Sequence, residues 1–137
     1  RRGENFVTQK IVRGAASIAQ GKSDCLELGN LDIERDWGYA PDYVLGMWMM
    51  LQQEQADDYI LATGQTCKLS DFLKLSFGYF ALDHHKHIRI NPKFVRPNEP
   101  VQLCGDSSKA QNILGWKPTV SFEKMVNEMC SAAQKNN

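Results

Sequence analysis

The sequence predicts an α/β protein, a small mixed lobe that is rich in helices and has a few short strands. Apolar residues recur at three- and four-residue steps in several segments, which is typical of amphipathic helices. Short apolar runs bounded by turn residues indicate strands, but they are too few for a doubly wound sheet. The pattern therefore favours a lobe that packs against another domain.

Two predicted helices are defined by their apolar periodicity. Residues 6–20 form the first, and Gly21 follows as a C-terminal stop. Pro41 suits the first turn of the second. The apolar stripe of this second helix consists of Tyr43, Val44, Met47, Trp48 and Leu51. We interpret the stripe as part of the core rather than as ligand contacts.

Three further helices are predicted from residues that cap helix ends. Ser70 can cap the first of them, Asp106 or Ser107 the second, and Ser121 the last. Gly115 closes the second one.

Three strands are predicted from short apolar runs, at residues 25–28, 59–62 and 88–90. Gly29 and Asn30 turn the chain after the first strand, and Thr63-Gly64 ends the second.

The predicted domain organisation is one lobe over residues 1–133, followed by a frayed tail at residues 134–137. A composition of 42% hydrophobic and 23% charged residues is that of a globular protein. The chain begins at Arg1 without a methionine or a signal-peptide pattern, so we interpret its start as a cut within a longer protein.

Charge and apolar run length exclude two classes of partner. The 16 basic residues are balanced by 16 acidic ones, so no general field attracts nucleic acid or an anionic membrane. The longest apolar run, residues 43–51, is much shorter than the roughly 20 residues of a membrane span. Any bound anion must be held locally.

Neither the cysteines nor the histidines predict a metal site. The four cysteines form no Cys-x-x-Cys pair, and unpaired thiols in a reducing compartment are favoured over disulfides or zinc. His84, His85 and His87 have no fourth ligand nearby.

Two arginines suggest a diphosphate site. Arg35 comes shortly after a predicted strand and turn, and Arg96 precedes a proline that favours extended backbone. A guanidinium presents a planar fork of donors, so two of them can bracket a pyrophosphate. Arg35-Asp36 could instead be a local ion pair on a loop. Glu99 could be a surface acid or could accept hydrogen bonds from ribose hydroxyls.

A second basic cluster, Arg1, Arg2, Lys10 and Arg13, surrounds the start of the first helix, where an anion is favoured. A solvated helix face is the alternative, and we apply it to Arg13.

Taken together, these segments resemble the carboxy-terminal, substrate-binding part of the GDP-mannose 4,6-dehydratase family, which are extended short-chain dehydrogenase/reductases with an NAD(P)-binding Rossmann fold. The resemblance covers nearly the whole chain. The segments that carry it are residues 1–8, 28–32, 35–38, 62–64, 96–99 and 114–118. The family usually has arginine where this chain has Gln9.

The resemblance implies that GDP-mannose is held by eight residues. Arg35 and Arg96 would hold the pyrophosphate and Glu99 the ribose hydroxyls. The nucleotide would otherwise lie along Val7, Lys10, Leu28 and Asn30, with Arg2 as a further contact.

The resemblance also implies the activity of the intact protein, an NADP-dependent lyase that converts GDP-D-mannose to GDP-4-dehydro-6-deoxy-D-mannose, the first step of de novo GDP-L-fucose synthesis. In the family the cofactor loop and all catalytic residues lie upstream of this chain. We therefore expect no catalytic residue here, no turnover by this chain alone, and NADP bound mainly by the amino-terminal part.

The expected partners are GDP-mannose and the protein's own amino-terminal Rossmann half, within a cytoplasmic homodimer or homotetramer. The alternative is a non-catalytic nucleotide-sugar-binding or assembly module that retains the fold. The isolated chain would then expose no apolar docking surface of several hundred Å².

Overall fold

The computed structural model describes residues 3, 6–95 and 100–136, and the side chains up to residue 135. Arg2, Arg96 and Glu99 lie outside the described residues. The chain divides into two compact units. The first contains residues 1–33, 68–100 and 126–137, and the second contains residues 34–67 and 101–125.

Six α-helices are found in the described residues, together with a 3-10 turn at Pro92–Phe94. The helices are α1 (Val7–Ala19), α2 (Ala40–Leu51), α3 (Leu69–Tyr79), α4 (His84–His87), α5 (Ser108–Leu114) and α6 (Phe122–Asn136).

The strands are short and form two small sheets. They are β1 (Leu26–Leu28), β2 (Glu34–Asp36), β3 (Thr66–Lys68), β4 (Ile88–Ile90) and β5 (Gln102–Leu103). β1 and β4 pair in parallel, and the other sheet has the order β3-β2-β5, with β2 and β5 parallel. The predicted helix-rich lobe with few short strands is confirmed.

The core of the first unit lies between α1 and α3. Ile11 and Ala15 on α1, and Phe72 and Phe77 on α3, are fully buried. Gly14 lets the side chain of Leu26 pack against α1, because a Cβ at position 14 would meet that leucine. α1 therefore packs against both α3 and β1.

The core of the second unit forms around Trp116, which is 1% exposed and packs with Ala110 and Leu114. Its indole nitrogen donates to the backbone oxygen of Asp42, at 2.7 Å. The partly buried residues that pack against this cluster are Tyr43, Met49, Met50, Tyr59 and Leu61.

Helix α2 is confirmed, but the interpretation of its apolar stripe as core is wrong for four of the five residues, since only Tyr43 packs against the Trp116 cluster. Val44, Met47, Trp48 and Leu51 are between 57% and 81% exposed. The helix is apolar on both faces, so periodicity alone does not identify the buried one.

Asp42 and Gly46 select the buried face of α2 instead. The Asp42 carboxylate accepts hydrogen bonds from the backbone N–H and hydroxyl of Thr119, at 2.9 and 2.7 Å, and from the N–H of Val120, at 3.3 Å. A Cβ at Gly46 would meet the side chains of Leu61 and Trp116.

The strand predicted at residues 59–62 is wrong. These residues form no ladder, and the strand lies at Thr66–Lys68. Tyr59 and Leu61 pack against the Trp116 cluster, whereas Ile60 is 58% exposed and Ala62 is 5% exposed. Side-chain packing places this segment without pairing.

The predicted caps are partly confirmed. Ser121 accepts a hydrogen bond from the N–H of Lys124, at 3.3 Å, and Gly115 closes α5 in the left-handed conformation. Ser70 does not cap α3, which begins one residue earlier, where an Asp71 oxygen accepts from the N–H of Lys68 at 3.4 Å. Ser107 is the N-cap residue of α5 but makes no capping bond with its side chain, whereas Asp106, the predicted alternative, accepts from the N–H of Ser108 at 2.9 Å.

The predicted first helix and the strands at residues 25–28 and 88–90 are confirmed as α1, β1 and β4. α6 runs to Asn136 and includes three of the four residues predicted as a frayed tail. Among the described residues, no helix has the length and apolar character needed to cross a membrane.

The Asp42 carboxylate gives a direct test of how α2 is held. Replacing it in Asp42→Ala should lower the free energy of unfolding by about 2 kcal/mol, because Thr119 and Val120 lose a charged acceptor. Urea unfolding measures this change. Asp57→Ala is the matched control, since it removes an exposed aspartate paired with Lys109 and should barely move the midpoint. Equal midpoints for both variants would contradict the role of Asp42.

Candidate functional site

The candidate site begins at one edge of the sheet in the first unit. The parallel register pairs Leu28 with Ile90, so β1 and β4 end side by side. The chain then leaves β1 through Gly29 and Asn30, and leaves β4 through Asn91. Ligands of open α/β sheets bind outside the carboxyl ends of parallel strands. We call this region the β1/β4 edge.

Asn91 fastens the β1/β4 edge with three hydrogen bonds. Its backbone N–H donates to the oxygen of Leu28, at 2.8 Å, and its side-chain nitrogen donates to the Glu27 carboxylate, at 2.8 Å. Its side-chain oxygen accepts from the N–H of Lys93, at 3.0 Å, and starts the 3-10 turn. The two strand ends are thereby held as one piece.

The turn after β1 is shaped by Asn30 and Gly29. The Asn30 side-chain oxygen accepts from the N–H of Asp32, at 2.9 Å, and its exposed amide nitrogen can donate to a ligand. A Cβ at Gly29 would meet the backbone oxygen of Phe94. Only a glycine therefore lets the 3-10 turn lie this close to the end of β1.

Lys10 reaches the same place from α1. Its ammonium nitrogen lies 3.8 Å from the centroid of the Phe94 ring. α1 has no acidic residue in its first turn and no side-chain cap at Phe6, so its N-terminal end favours an anion. Val7 is the first residue of α1, one turn before Lys10, and is partly buried.

Phe94 thus contacts Lys10 through its ring and approaches the Gly29-Asn30 turn through its backbone oxygen. The side chain of Leu28 is 2% exposed and belongs to the core, so a contact of Leu28 with the nucleotide would involve its backbone and stays a prediction. Leu28 holds the edge in position through its backbone oxygen, which accepts from Asn91.

Arg35 lies in the second unit, in the middle of β2 rather than on a loop. Its Nη1 atom donates to the backbone oxygen of Glu34, at 2.7 Å, and more weakly to that of Val101, at 3.5 Å. Arg35 is partly buried. Its guanidinium presents five N–H donors in a planar fork.

The neighbouring Asp36 organises the loops around β2. Its Oδ1 atom accepts from the backbone N–H and hydroxyl of Thr63, at 2.9 and 2.6 Å. Its Oδ2 atom accepts from the N–H groups of Gly64, at 2.9 Å, and Gly105, at 3.4 Å. The Arg-Asp motif therefore combines a partly buried arginine with a carboxylate that fixes the strand carrying it.

Sequence reasoning missed Phe94 and Asn91, which assemble the β1/β4 edge. An available signal was Asn91 before Pro92, because this dipeptide favours turn initiation. No sequence signal pointed to the contact of Phe94 with Lys10, since the two residues meet only through the tertiary fold.

The histidine segment contains a group of possible metal ligands. Donor atoms of Asp83, His84 and His85 lie within 4.8 Å of one another. Asp83 also caps α4 through the N–H of His85, at 3.1 Å, and His87 is engaged with the backbone oxygen of Asp24, at 2.9 Å. Burial lowers the pKa of His84, and the adjacent His85 lowers it further. The expectation that no metal binds here stays a prediction.

Comparison with known sequences identifies the family. The sequence profile described as GDP-mannose 4,6 dehydratase matches residues 1–129. The chain belongs to the GDP-mannose 4,6-dehydratase family. The resemblance inferred from its motifs is confirmed.

Curated members of the family are similar over almost the whole chain. GDP-mannose 4,6 dehydratase 1 of Arabidopsis thaliana is 51% identical over 129 residues, which cover 94% of this chain and 36% of that protein. The Homo sapiens GDP-mannose 4,6 dehydratase is 40% identical over 149 residues, covering 96% of this chain and 40% of the human protein. The chain thus spans about two fifths or less of the length of these relatives.

Solved structures share the fold at low sequence identity. RMD from Pseudomonas aeruginosa, complexed with NADPH, superposes with a TM-score of 0.89 at 21% identity, over 99% of this chain and 45% of that one. A dTDP-glucose 4,6-dehydratase from Bacillus anthracis, in complex with NAD, gives a TM-score of 0.82 at 16% identity, over 98% of this chain and 41% of that one. The predicted fold class, part of an extended dehydratase and epimerase fold, is confirmed.

The close approach at Gly29 can be tested by adding one methyl group. Gly29→Ala should destabilise the chain and shift the backbone amide signals of residues 28–30, because the new Cβ meets the Phe94 oxygen. Urea unfolding and amide NMR measure both effects. Gly78→Ala is the matched control in α3, where a Cβ meets nothing within 4 Å, and it should stabilise the chain by up to about 1 kcal/mol. If both variants are equally tolerated, the 3-10 turn does not constrain Gly29.

Proposed function

We propose that this chain supplies the substrate-holding part of a GDP-mannose 4,6-dehydratase, a lyase that converts GDP-D-mannose to GDP-4-dehydro-6-deoxy-D-mannose. The observation that carries the proposal is the junction of Lys10 with the Gly29-Asn30 turn at the β1/β4 edge. It places a cation and an exposed amide where α/β folds bind ligands. Membership of the GDP-mannose 4,6-dehydratase family supports GDP-mannose as the substrate.

In this proposal the nucleotide lies along Val7, Lys10 and the turn after Leu28. Arg35 and Arg96 hold the pyrophosphate with bidentate hydrogen bonds, and Arg2 and Glu99 contact the nucleotide. The arginines act on a part of the substrate remote from the hexose. Such remote binding still serves catalysis, because it positions the reacting sugar carbons.

The proposed cofactor of the complete protein is NADP, which supplies hydride transfer. The sequence contains neither a glycine-rich phosphate loop nor a Tyr-x-x-x-Lys pair, so the residues of this chain do not fit a nicotinamide cofactor. We therefore assign no catalytic residue and no step of hydride transfer to this chain. The rest of the family's length would hold the cofactor.

The proposal extends to the protein's place in the cell. The complete protein acts in the cytoplasm, as a homodimer or homotetramer, at the first step of GDP-L-fucose synthesis. These assignments come from the family resemblance.

The arginines should affect substrate binding selectively in a complete dehydratase that carries these residues. Arg35→Ala and Arg96→Ala should each raise the KM for GDP-mannose by about 10- to 100-fold, because a charge-assisted hydrogen bond contributes roughly 1.5–3 kcal/mol. The affinity for NADP should stay nearly unchanged. Steady-state kinetics and cofactor titration measure the two effects.

Two further variants make this test specific. Arg35→Lys keeps the charge but loses the planar fork, so its KM should fall between those of the wild type and Arg35→Ala. Arg13→Ala removes an exposed arginine on α1 and should change neither quantity. Equal losses of substrate and cofactor affinity in Arg35→Ala would contradict a role in substrate binding.

A surface on α2 supports the proposal that this chain packs against the rest of the enzyme. Leu45 and the four misassigned stripe residues are between 50% and 81% exposed. At about 100° per residue these side chains cover roughly 160° of the helix. Exposed apolar surfaces of this kind mark interfaces. We call these five residues the α2 apolar face.

The unpaired segment at residues 59–62 belongs to the same unit and suggests what the partner offers. Tyr59 and Leu61 pack against the Trp116 cluster, and Ile60 between them is 58% exposed. An unpaired extended segment can accept another strand at its edge. We propose that the part of the enzyme carrying the Rossmann sheet covers the α2 apolar face and pairs with this segment.

This docking proposal predicts an effect of Trp48→Asp. The purified chain should associate with a separately expressed amino-terminal part of a family member, and the charge should weaken that association at least tenfold by desolvation. Analytical ultracentrifugation measures it. Ile113→Asp on α5 is the matched control, because Ile113 is similarly exposed but lies outside the α2 apolar face.

The same experiment separates the two classes of function. A dehydratase part should show NADP-dependent dehydration only when the two pieces are associated, and none alone. A non-catalytic module should show no turnover in either state. Turnover by this chain alone, or unchanged association of Trp48→Asp, would overturn the docking proposal.

A further inference from the structure

Lys10 and Phe94 come from distant parts of the chain and meet at the β1/β4 edge. Lys10 stands on α1 and is partly buried, whereas Phe94 ends the 3-10 turn and is 50% exposed. The ammonium nitrogen lies 3.8 Å from the ring centroid, which is well within the range of a cation–π interaction.

An aromatic ring can hold a lysine side chain in position without occupying the N–H donors of its ammonium group. The lysine side chain is flexible, and ordering it for a ligand costs entropy. A carboxylate partner would neutralise the ammonium and occupy its N–H groups. A ring attracts the charge through its face and accepts no conventional hydrogen bond, so the ammonium donors remain available to phosphate or base oxygens.

Phe94 is itself fixed by the β1/β4 edge. Its backbone oxygen lies where a Cβ at Gly29 would be, and its N–H donates to the oxygen of Asn91, at 3.0 Å. Asn91 in turn is bonded to Leu28 and Glu27. The position of the ring is therefore set by the same turn that carries Asn30.

We infer that Phe94 is a positioning residue, whose ring holds the Lys10 ammonium at the β1/β4 edge ready for a nucleoside diphosphate. The inference rests on the proposed function, since it assigns GDP to this edge. It adds a residue that acts through Lys10. The contribution of Lys10 to GDP binding thus depends on Phe94.

The test is a double-mutant cycle on GDP affinity, measured by NMR titration of the full chain to millimolar GDP. Phe94→Leu should raise the Kd for GDP about two- to fivefold, the range expected for an exposed cation–π contact. Phe94→Tyr keeps the ring and should restore the affinity. In a Lys10→Met background, Phe94→Leu should cause no further loss, because the charge that the ring holds is gone.

A second measurement reads the contact without GDP. After reductive methylation with a carbon-13 label, the Lys10 methyl signal should be shifted upfield by the ring, and Phe94→Leu should remove this shift. If Phe94→Leu does not fold, Phe94→Met takes its place, because methionine fills a similar volume without an aromatic ring.

The outcomes distinguish this inference from the proposed function. Equal effects of Phe94→Leu in the wild-type and Lys10→Met backgrounds would show a merely structural role and would overturn the inference, as would an unchanged Kd. GDP binding that perturbs the signals of residues 7–10 and 28–30 in the wild type supports the proposed function in either case. If the wild type shows no such perturbation, the assignment of GDP to this edge fails and the inference fails with it, even where the methyl shift shows the contact.

Discussion

The candidate site depends on the approach of two backbones at Gly29. Because position 29 has no Cβ, the oxygen of Phe94 occupies the space beside the turn that ends β1. The chain after β4 is thereby directed back across the end of β1, where Asn91 is bonded to both Leu28 and Glu27. A larger residue would move the 3-10 turn away from Lys10 and separate the cation from the exposed amide of Asn30.

In the second unit, aspartate carboxylates accept the backbone hydrogen bonds of loop segments that do not pair as strands. Asp36 accepts from the backbone of Thr63, Gly64 and Gly105, and Asp42 accepts from that of Thr119 and Val120. Backbone N–H groups of irregular segments need acceptors, and a carboxylate offers several lone pairs from one position. Each aspartate is therefore placed by the loops it satisfies. Asp36 stabilises the strand that carries Arg35, and Asp42 sets the orientation of α2.

The sequence predicted elements with a strong local signal and missed those that tertiary contacts define. α1 and the end of α5 were predictable because apolar spacing and a left-handed glycine act within one segment. The buried face of α2 could not be predicted, because the helix is apolar on both faces. The hydrogen bonds of Asp42 that determine this face reach Thr119 and Val120, which are distant in the sequence. Of the residues that meet at the candidate site, Lys10 and Asn30 were predicted from the sequence and Phe94 was not, since a cation–π pair between distant segments leaves no sequence pattern. The Arg-Asp motif singled out Arg35, but the sequence did not predict the strand β2 that contains it.

A helix that is apolar on every side is stable only when both faces are covered. In α2 one face packs on the Trp116 cluster, and the α2 apolar face is exposed in the described residues. Under the proposed function the ligand-binding side chains are incomplete in the same way, because Lys10 and Arg35 are only partly buried and would supply only a few charge-assisted hydrogen bonds. Association costs at least about 4 kcal/mol in lost freedom before any net affinity appears. Under the proposed function, tight binding of a nucleotide sugar would therefore need the same docking part that covers the α2 apolar face, so assembly and substrate affinity should rise together.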